Sequence, residues 1–166
     1  MGQASTSARP DPREVPAYHL GEAAHYLNIP IATLRSWVAG RPYLVADGKK
    51  FFQPVIEIAD KKRKLLSFIN LVEAHVLDAI RRREHRIQLP KIRQAIGYLR
   101  REFHSNHPLA DQMLETDGLD LFVQKYGQLI NISQEGQLAM REMLQAFLRR
   151  VERDSHGVPI KLYLFA

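Results

Sequence analysis

The feature that most constrains this chain is residues 18–37, YHLGEAAHYLNIPIATLRSW, where Asn28-Ile29-Pro30 separates two short helix-forming stretches. The first stretch predicts a helix from about Gly21 to Leu27. Pro30 suits the start of a second helix, where its missing N–H needs no partner. Helices this short are marginal in water when isolated. The pair is therefore expected to be stabilised by packing against the rest of the chain.

The second of these helices has one apolar face and one small, polar face. Leu34 and Val38 share the first, whereas Thr33, Arg35 and Ser36 lie elsewhere. Reading the DNA major groove needs a short exposed helix that another helix holds in place. The pattern therefore predicts a helix-turn-helix that binds duplex DNA. The alternative is a helical hairpin that serves only as part of the core.

A basic hairpin is predicted directly after this pair. In residues 43–58, Asp47-Gly48 stands between two short apolar runs, which is a strong hairpin signal. Pro54 favours an edge position for the returning strand. We expect a wing with a basic tip that adds phosphate contacts beside the helix. The predicted DNA-binding residues are Thr33, Arg35, Ser36, Arg41, Lys49 and Lys50.

The rest of the chain predicts further helices and a second hairpin. The expected elements are a helix over 70–83 with a capping box of Asn70 and Glu73, a helix from Pro90 to Phe103, a short helix over 109–115, a hairpin folding at Tyr126-Gly127, a helix over 137–153 and a final strand, IKLYLF. The predicted fold class is mainly α with small β-hairpins (α+β). We expect a disordered arm (1–16), a winged helix-turn-helix domain (17–103) and a small α/β C-terminal domain (104–166).

Charge is distributed unevenly along the 166 residues. Residues 1–103 carry 18 Lys and Arg against 10 Asp and Glu, a balance of +8, whereas residues 104–166 have a balance of −2. This asymmetry suggests two surfaces with different partners. Cysteine is absent, which excludes disulfides and thiol catalysis. With no apolar run long enough for a bilayer, we expect a cytoplasmic protein without membrane contact.

Three groups of polar residues are candidates for chemical sites. His104 and His107 have helical ligand spacing, but no third ligand is near in sequence, and His75 suits a core or interface position. The acidic residues Glu115, Asp117 and Asp120 fall in predicted turns and strands rather than in a magnesium site. We therefore predict no catalytic residues, no metal, no cofactor and no enzymatic activity.

The first hundred residues resemble the MerR-type winged helix-turn-helix. Its second helix carries a Thr, an aliphatic residue, an Arg and then an aromatic, as Thr33, Leu34, Arg35 and Trp37 do here. Its later helices match from Ile80 through Arg93. The chain departs from that pattern at 85–86, where His-Arg replaces the usual Gly, and no long coiled-coil helix follows. The resemblance implies a DNA-binding module without metal or drug sensing.

Residues 66–139 resemble a bacterial group of VapB-type antitoxins. The segments that carry this resemblance are LSFINLVEAHVLDAIRRR, LPKIRQAIGYLRREF, HPLA and DGLDLFV…GQLINIS…GQLA. The resemblance implies a type II antitoxin that represses its own operon and neutralises a PIN-like ribonuclease toxin. We expect a homodimer, because paired half-sites compensate for one short reading helix. Residues 104–166 would then bind the toxin and the second subunit.

Two alternatives to an antitoxin remain at this stage. One is a MerR-like transcriptional regulator without a toxin partner, which would use the same DNA-binding residues. The other is an adaptor whose basic face binds RNA or an acidic protein.

Overall fold

The structure is a computed structural model that describes residues 11–84 and 87–164, with only the backbone of residue 84. In these ranges the elements are β1 (Tyr18–His19), α1 (Leu20–Leu27), α2 (Ile31–Ala39), β2 (Arg41–Val45), β3 (Gly48–Phe52), β4 (Leu65–Leu66), α3 (Phe68–Glu84), α4 (Leu89–Phe103), α5 (Asp117–Leu129), α6 (Gln134–Leu148), β5 (Val151–Arg153) and β6 (Pro159–Leu162). The strands form antiparallel pairs, β1 with β4, β2 with β3 and β5 with β6. The predicted α+β class is confirmed. None of the described helices is both long and apolar enough to span a bilayer.

The predicted helix pair is present. The main-chain N–H of His19 donates to the Glu22 side chain at the start of α1, and the helix ends at Asn28, whose φ of 55° is left-handed. Asn tolerates this conformation better than most residues. Pro30 then precedes α2, and its carbonyl accepts from the main-chain N–H of Leu34 at 3.0 Å. The turn and the position of Pro30 thus follow the sequence-based expectation.

Helix α3 begins earlier than predicted and has a different cap. Asn70 was expected to cap the helix, but Ser67 does so and Asn70 occupies the third helical position. Ser67 Oγ accepts from the Asn70 N–H at 3.1 Å, and Asn70 Oδ1 accepts from the Ser67 N–H at 2.9 Å. This reciprocal pair is a capping box that begins three residues earlier than predicted. The side-chain amide oxygen of Asn70 takes the place that a Glu or Gln side chain usually has in this motif.

The hairpin predicted at Tyr126-Gly127 is wrong, because these residues lie inside α5. Leu119, Phe122, Val123 and Tyr126 are all buried at helical spacing on one face of that helix. The Tyr126-Gly127 dipeptide resembles a turn sequence although it lies within a helix. The glycine instead permits a close approach, since a Cβ there would lie 2.7 Å from Cγ of Gln137 in α6.

The last predicted helix is shifted and shortened. Ser133 caps α6 by accepting from the Gly136 N–H at 3.0 Å, and the helix ends at Leu148. Residues 151–153, predicted as helical, form β5 and pair with β6. The final strand, expected over 160–165, is present as β6 and ends at Leu162, whereas residues 165–166 lie outside the described residues. The short helix expected over 109–115 is present as two 3-10 turns, Pro108–Ala110 and Gln112–Glu115.

One hydrophobic core runs through both predicted domains. Helix α3 lies at its centre, and every residue from 71 to 80 is buried. It packs against α1 on one side and α6 on another, while α4 packs against α5. The boundary expected at 103/104 coincides with the end of α4, yet the segments on either side of it share this core.

Buried His75 joins α3 to α6. Its Nε2 lies 2.8 Å from the Phe147 carbonyl oxygen, and its ring stacks on the Phe147 ring at 4.9 Å between centroids. Burial lowers the pKa of His75 below the ordinary value, because the charged form would lose its hydration. The predicted core or interface histidine is confirmed.

Part of the predicted disordered arm, residues 11–16, is described by the structure and has defined contacts. Residues 1–10, including Arg9, lie outside the described residues, but Pro12–Glu14 form a 3-10 turn against α3. Arg13 reaches Asp154 at 3.4 Å, so polar contacts rather than apolar burial hold this segment. Polar composition predicted disorder here because these partners are distant in sequence.

Candidate nucleic-acid interface

Helix α2 presents one face to the core and the opposite face to solvent. Leu34, Trp37 and Val38 are buried, with Leu34 fully so, whereas Ala32 and Arg35 are exposed. The early positions of α2 are therefore accessible to a groove, as the helical pattern predicts. We refer to α2 below as the reading helix.

The end of the reading helix is joined to the chain that returns from the wing. The Trp37 carbonyl accepts from the N–H groups of Val55 and Ile56 at 2.9 and 3.1 Å. Gly40 ends the helix with a φ of 76°, and a Cβ there would lie 2.2 Å from the Phe52 carbonyl oxygen. Only glycine fits this close junction between helix and wing.

The predicted wing is present as the β2–β3 hairpin. Val45 pairs with Gly48, so the connecting loop is 46–47, one residue earlier than the predicted turn. Pro54 was expected within the returning strand but follows its end at Phe52. Arg41 lies over the Phe52 ring, 5.8 Å from its centroid. Since neighbours along a strand alternate faces, Lys49 and Lys50 point to opposite sides of the wing rather than sharing one basic tip.

A cleft of about 690 Å³ separates the reading helix and wing from the start of α4. Of the six predicted DNA-binding residues, Thr33, Ser36 and Arg41 line it, and Ser36 Oγ donates to the Thr33 carbonyl at 2.7 Å. Arg81 and Lys91 line the same cleft and add positive charge. Arg35, Lys49 and Lys50 are exposed but are not among the cleft residues.

Five cations on this side have no acidic partner within the ranges that the structure describes, whereas Arg81 pairs with Asp78. No carboxylate lies within salt-bridge distance of Arg35, Arg41, Lys49, Lys50 or Lys91. Some arginines elsewhere are paired, for example Arg141 with Asp120 at 2.6 Å and Arg153 with Glu115. Unneutralised cations beside an exposed helix produce a positive potential that attracts polyanions.

Glu115, Asp120 and His107, three of the other charged candidates from the sequence, have structural partners. Glu115 and Asp120 pair with the arginines just described, and Asp117 begins α5. His107 lies 3.2 Å from Glu73 and 3.3 Å from Glu14, and the Glu73 hydrogen bond raises the pKa of His107 above its ordinary value. Over the ranges 11–84 and 87–164, no three His, Asp or Glu residues cluster as metal ligands would.

Two basic runs have different environments. Lys61, Lys62 and Lys64 are exposed in the loop before β4. In the run RRREHR, two arginines bond to Asp78, whereas residues 85–86 lie outside the described residues. Sequence patterns did not reveal Arg81 and Lys91 as cleft residues, because only the packing of α3 and α4 brings them beside the reading helix.

Comparisons with known proteins agree with this architecture. Residues 16–96 match the family model described as "Putative DNA-binding HTH domain". The protein named "Putative antitoxin VapB45" of Mycobacterium tuberculosis (strain ATCC 25618 / H37Rv) is 30% identical in an alignment of 155 residues, and the match covers 83% of this chain. The chain spans 63% of the length of that relative.

A solved structure has the same fold. The X-ray crystal structure of Rv2018 from Mycobacterium tuberculosis matches with a TM-score of 0.58 at 23% sequence identity. The match covers 87% of this chain and 67% of that chain. The arrangement thus extends beyond the helix-turn-helix into the C-terminal helices.

Proposed function

We propose that this chain is the antitoxin of a type II toxin–antitoxin system, which binds its own operator as a homodimer and neutralises a PIN-like ribonuclease toxin. The observation that carries the DNA-binding part is the exposed face of the reading helix, flanked by cations without carboxylate partners in the described ranges. The match of residues 16–96 to a DNA-binding model supports it. Similarity to a protein named as an antitoxin supports the toxin-binding part.

Each DNA-binding residue has a specific role in this proposal. Thr33, Arg35 and Ser36 contact bases or phosphates from the reading helix, which carries a MerR-like sequence pattern. Arg41, with Lys49 and Lys50 on either face of the wing, contacts the backbone. Phosphate contacts set the register of the protein, whereas base contacts provide specificity.

The DNA proposal is tested by removing three cations together. In the variant Arg35→Ala/Lys49→Ala/Lys50→Ala, we expect weaker binding to a duplex from upstream of the chain's own gene. The slope of log affinity against log salt concentration should flatten by about one unit for each lost phosphate contact. Fluorescence anisotropy titrations from about 50 to 200 mM salt measure both quantities.

A charge-matched control distinguishes a localised DNA-binding site from general electrostatic attraction between the basic protein and DNA. Arg101→Ala/Arg149→Ala/Lys161→Ala removes the same charge from exposed positions on α4, on β6 and just after α6. This control should keep the wild-type affinity within a small factor. Equal losses in both folded variants would contradict a localised DNA site. The mass of the complex gives the stoichiometry, and we expect two chains per duplex.

For the toxin, we propose a surface at the C-terminal hairpin. Ile160 and Tyr163 are 42% and 52% exposed, and Leu164 beside them is also exposed. In the described part of the chain, β6 pairs only with β5, so its outer edge can accept a strand from a partner. Exposed apolar side chains on an open strand edge favour a protein partner over solvent.

We expect Ile160→Asp/Tyr163→Asp to weaken toxin binding roughly ten-fold or more, because each introduced carboxylate would be desolvated in an apolar interface. The full chain is co-expressed with any PIN-like protein that is encoded beside its gene, and the purified pair is measured by calorimetry. Leu44→Asp, at an 80% exposed wing position, is the control and should bind normally. If no toxin binds the wild-type chain, the regulator without a toxin partner replaces the antitoxin.

A further inference from the structure

A buried carboxylate organises two arginines at the C-terminal half of α3. Asp78 is 1% exposed, and its two oxygens each accept from an arginine Nε at 2.7 Å, one from Arg81 and one from Arg82. Burial of this carboxylate is tolerated because each of its oxygens accepts a hydrogen bond from a charged donor. Asp78 therefore determines where both guanidinium groups lie.

Arg82 is used to hold the helix-turn-helix. Its Nη2 donates to the carbonyl of Asn28 at 3.2 Å, at the left-handed residue that ends α1. This bond connects the turn before the reading helix to α3. The role of Arg82 is thus structural.

Arg81 has a different environment. It lines the cleft with Ala32 and Thr33, and it also lines a second depression with Pro30 and Ile31. Its side chain thus borders the first turn of the reading helix from two sides. Within the described ranges, Arg81 donates to Asp78 through Nε, no hydrogen bond joins its terminal nitrogens to another group, and its side chain is 22% exposed.

Arg81 lies beside the end of the reading helix that carries a partial positive charge. The first turn of the reading helix contains no acidic residue, and its main-chain N–H groups give that end a partial positive charge. A guanidinium at this end is repelled in the absence of an anion, and Asp78 offsets the repulsion. An arginine whose Nε is engaged can still present its two terminal nitrogens to a phosphate as a planar fork.

We propose that Arg81 is a DNA phosphate ligand at the start of the reading helix, and that Asp78 positions it. This inference rests on the proposed DNA binding and adds a contact from α3, outside the helix pair and the wing. The ligand class is the phosphodiester backbone, so the contact contributes affinity and register but no base specificity.

The test compares neighbouring arginines on one helix. Arg81→Ala should weaken binding of the upstream duplex roughly ten-fold and flatten the salt slope by about one unit per chain. Arg83→Ala, which removes the same charge from an exposed position two residues away, should change neither quantity appreciably. Arg81→Lys, which keeps the charge but not the fork, should restore most of the slope and only part of the affinity.

Asp78→Asn tests the positioning role. It should lower DNA affinity while leaving the salt slope near the Arg81→Lys value, because the arginine is still present but no longer held. Equal binding by Arg81→Ala and Arg83→Ala would overturn the proposal, provided that the wild-type chain binds the duplex. Should Arg81→Ala fail to fold, Arg81→Lys with wild-type affinity would overturn it equally. No binding by the wild type would instead reject the proposed DNA function together with this contact.

Discussion

Asn70→Ala is expected to lower the free energy of unfolding by roughly 3–4 kcal/mol, a large fraction of the stability of an ordinary domain. The Asn70 side chain is 1% exposed and forms hydrogen bonds with four groups. Its oxygen accepts from the N–H groups of Ala59 and Ser67 at 3.1 and 2.9 Å. Its nitrogen donates to the Glu57 carbonyl and the Glu73 carboxylate at 2.9 and 2.8 Å. Alanine would leave a buried N–H and a buried carboxylate poorly satisfied.

Urea unfolding followed by circular dichroism measures this loss. Ser67→Ala is the matched control, because it removes one hydrogen bond at the same helix start and should cost about 1 kcal/mol. If Asn70→Ala cost no more than Ser67→Ala, the network would have no role beyond ordinary capping. Since Asn70 also joins α3 to the chain that returns from the wing, its loss should weaken DNA binding through instability and leave the salt slope of the remaining folded protein unchanged.

Gly118→Ala is expected to destabilise the chain by about 2–3 kcal/mol through overpacking. A Cβ at this position would lie 2.1 Å from Cζ of Phe103 and 2.7 Å from the Met113 carbonyl oxygen. The second contact involves main-chain atoms, so relief requires the 3-10 turn or the end of α4 to shift. The junction between α4 and α5 therefore depends on this glycine.

Gly97→Ala provides the control for Gly118→Ala. Gly97 lies within α4, and a Cβ at this position would have Arg101 Nη1 as its nearest neighbour at 3.8 Å, an ordinary contact. Alanine there should raise stability by about 0.5–1 kcal/mol, because it favours the helix over the unfolded chain. Thermal unfolding of both variants should give shifts of opposite sign. Shifts of the same sign would contradict the packing at the α4–α5 junction.

The two predicted domains share one hydrophobic core, so a fragment of the chain is unsuitable for testing either function. Helices α5 and α6 belong to the same core as α3 and α4, and His75 of α3 bonds to the end of α6. A fragment beginning near residue 104 would expose the faces of α5 and α6 that the core covers. Toxin-binding and DNA-binding experiments therefore use point variants of the full chain.

Local sequence patterns predicted the elements that are stabilised locally. The turn at Asn28-Ile29-Pro30, the wing and the amphipathic stripe of α4 each rest on neighbours within a few residues, and all three are present. The hairpin expected at Tyr126-Gly127 failed because a turn-like dipeptide was given more weight than the helical spacing of the apolar residues around it. The cap predicted for α3 was wrong for a different reason. Ser67–Asn70 and Asn70–Glu73 are overlapping cap patterns of equal spacing, and the bonds from Asn70 to Ala59 and Glu57 involve residues outside the helix.

The sequence by itself determined which segment is a short helix with an exposed polar face, and that basic residues accompany it. Those properties depend on helical periodicity and composition, which are encoded in adjacent residues. Only the tertiary structure decided that Arg81 and Lys91 share a cleft with Thr33 and Arg41, and that buried Asp78 holds both Arg81 and Arg82. These relations depend on how α3 and α4 pack beside the reading helix, and packing between segments distant in the chain leaves no periodic signal in either one.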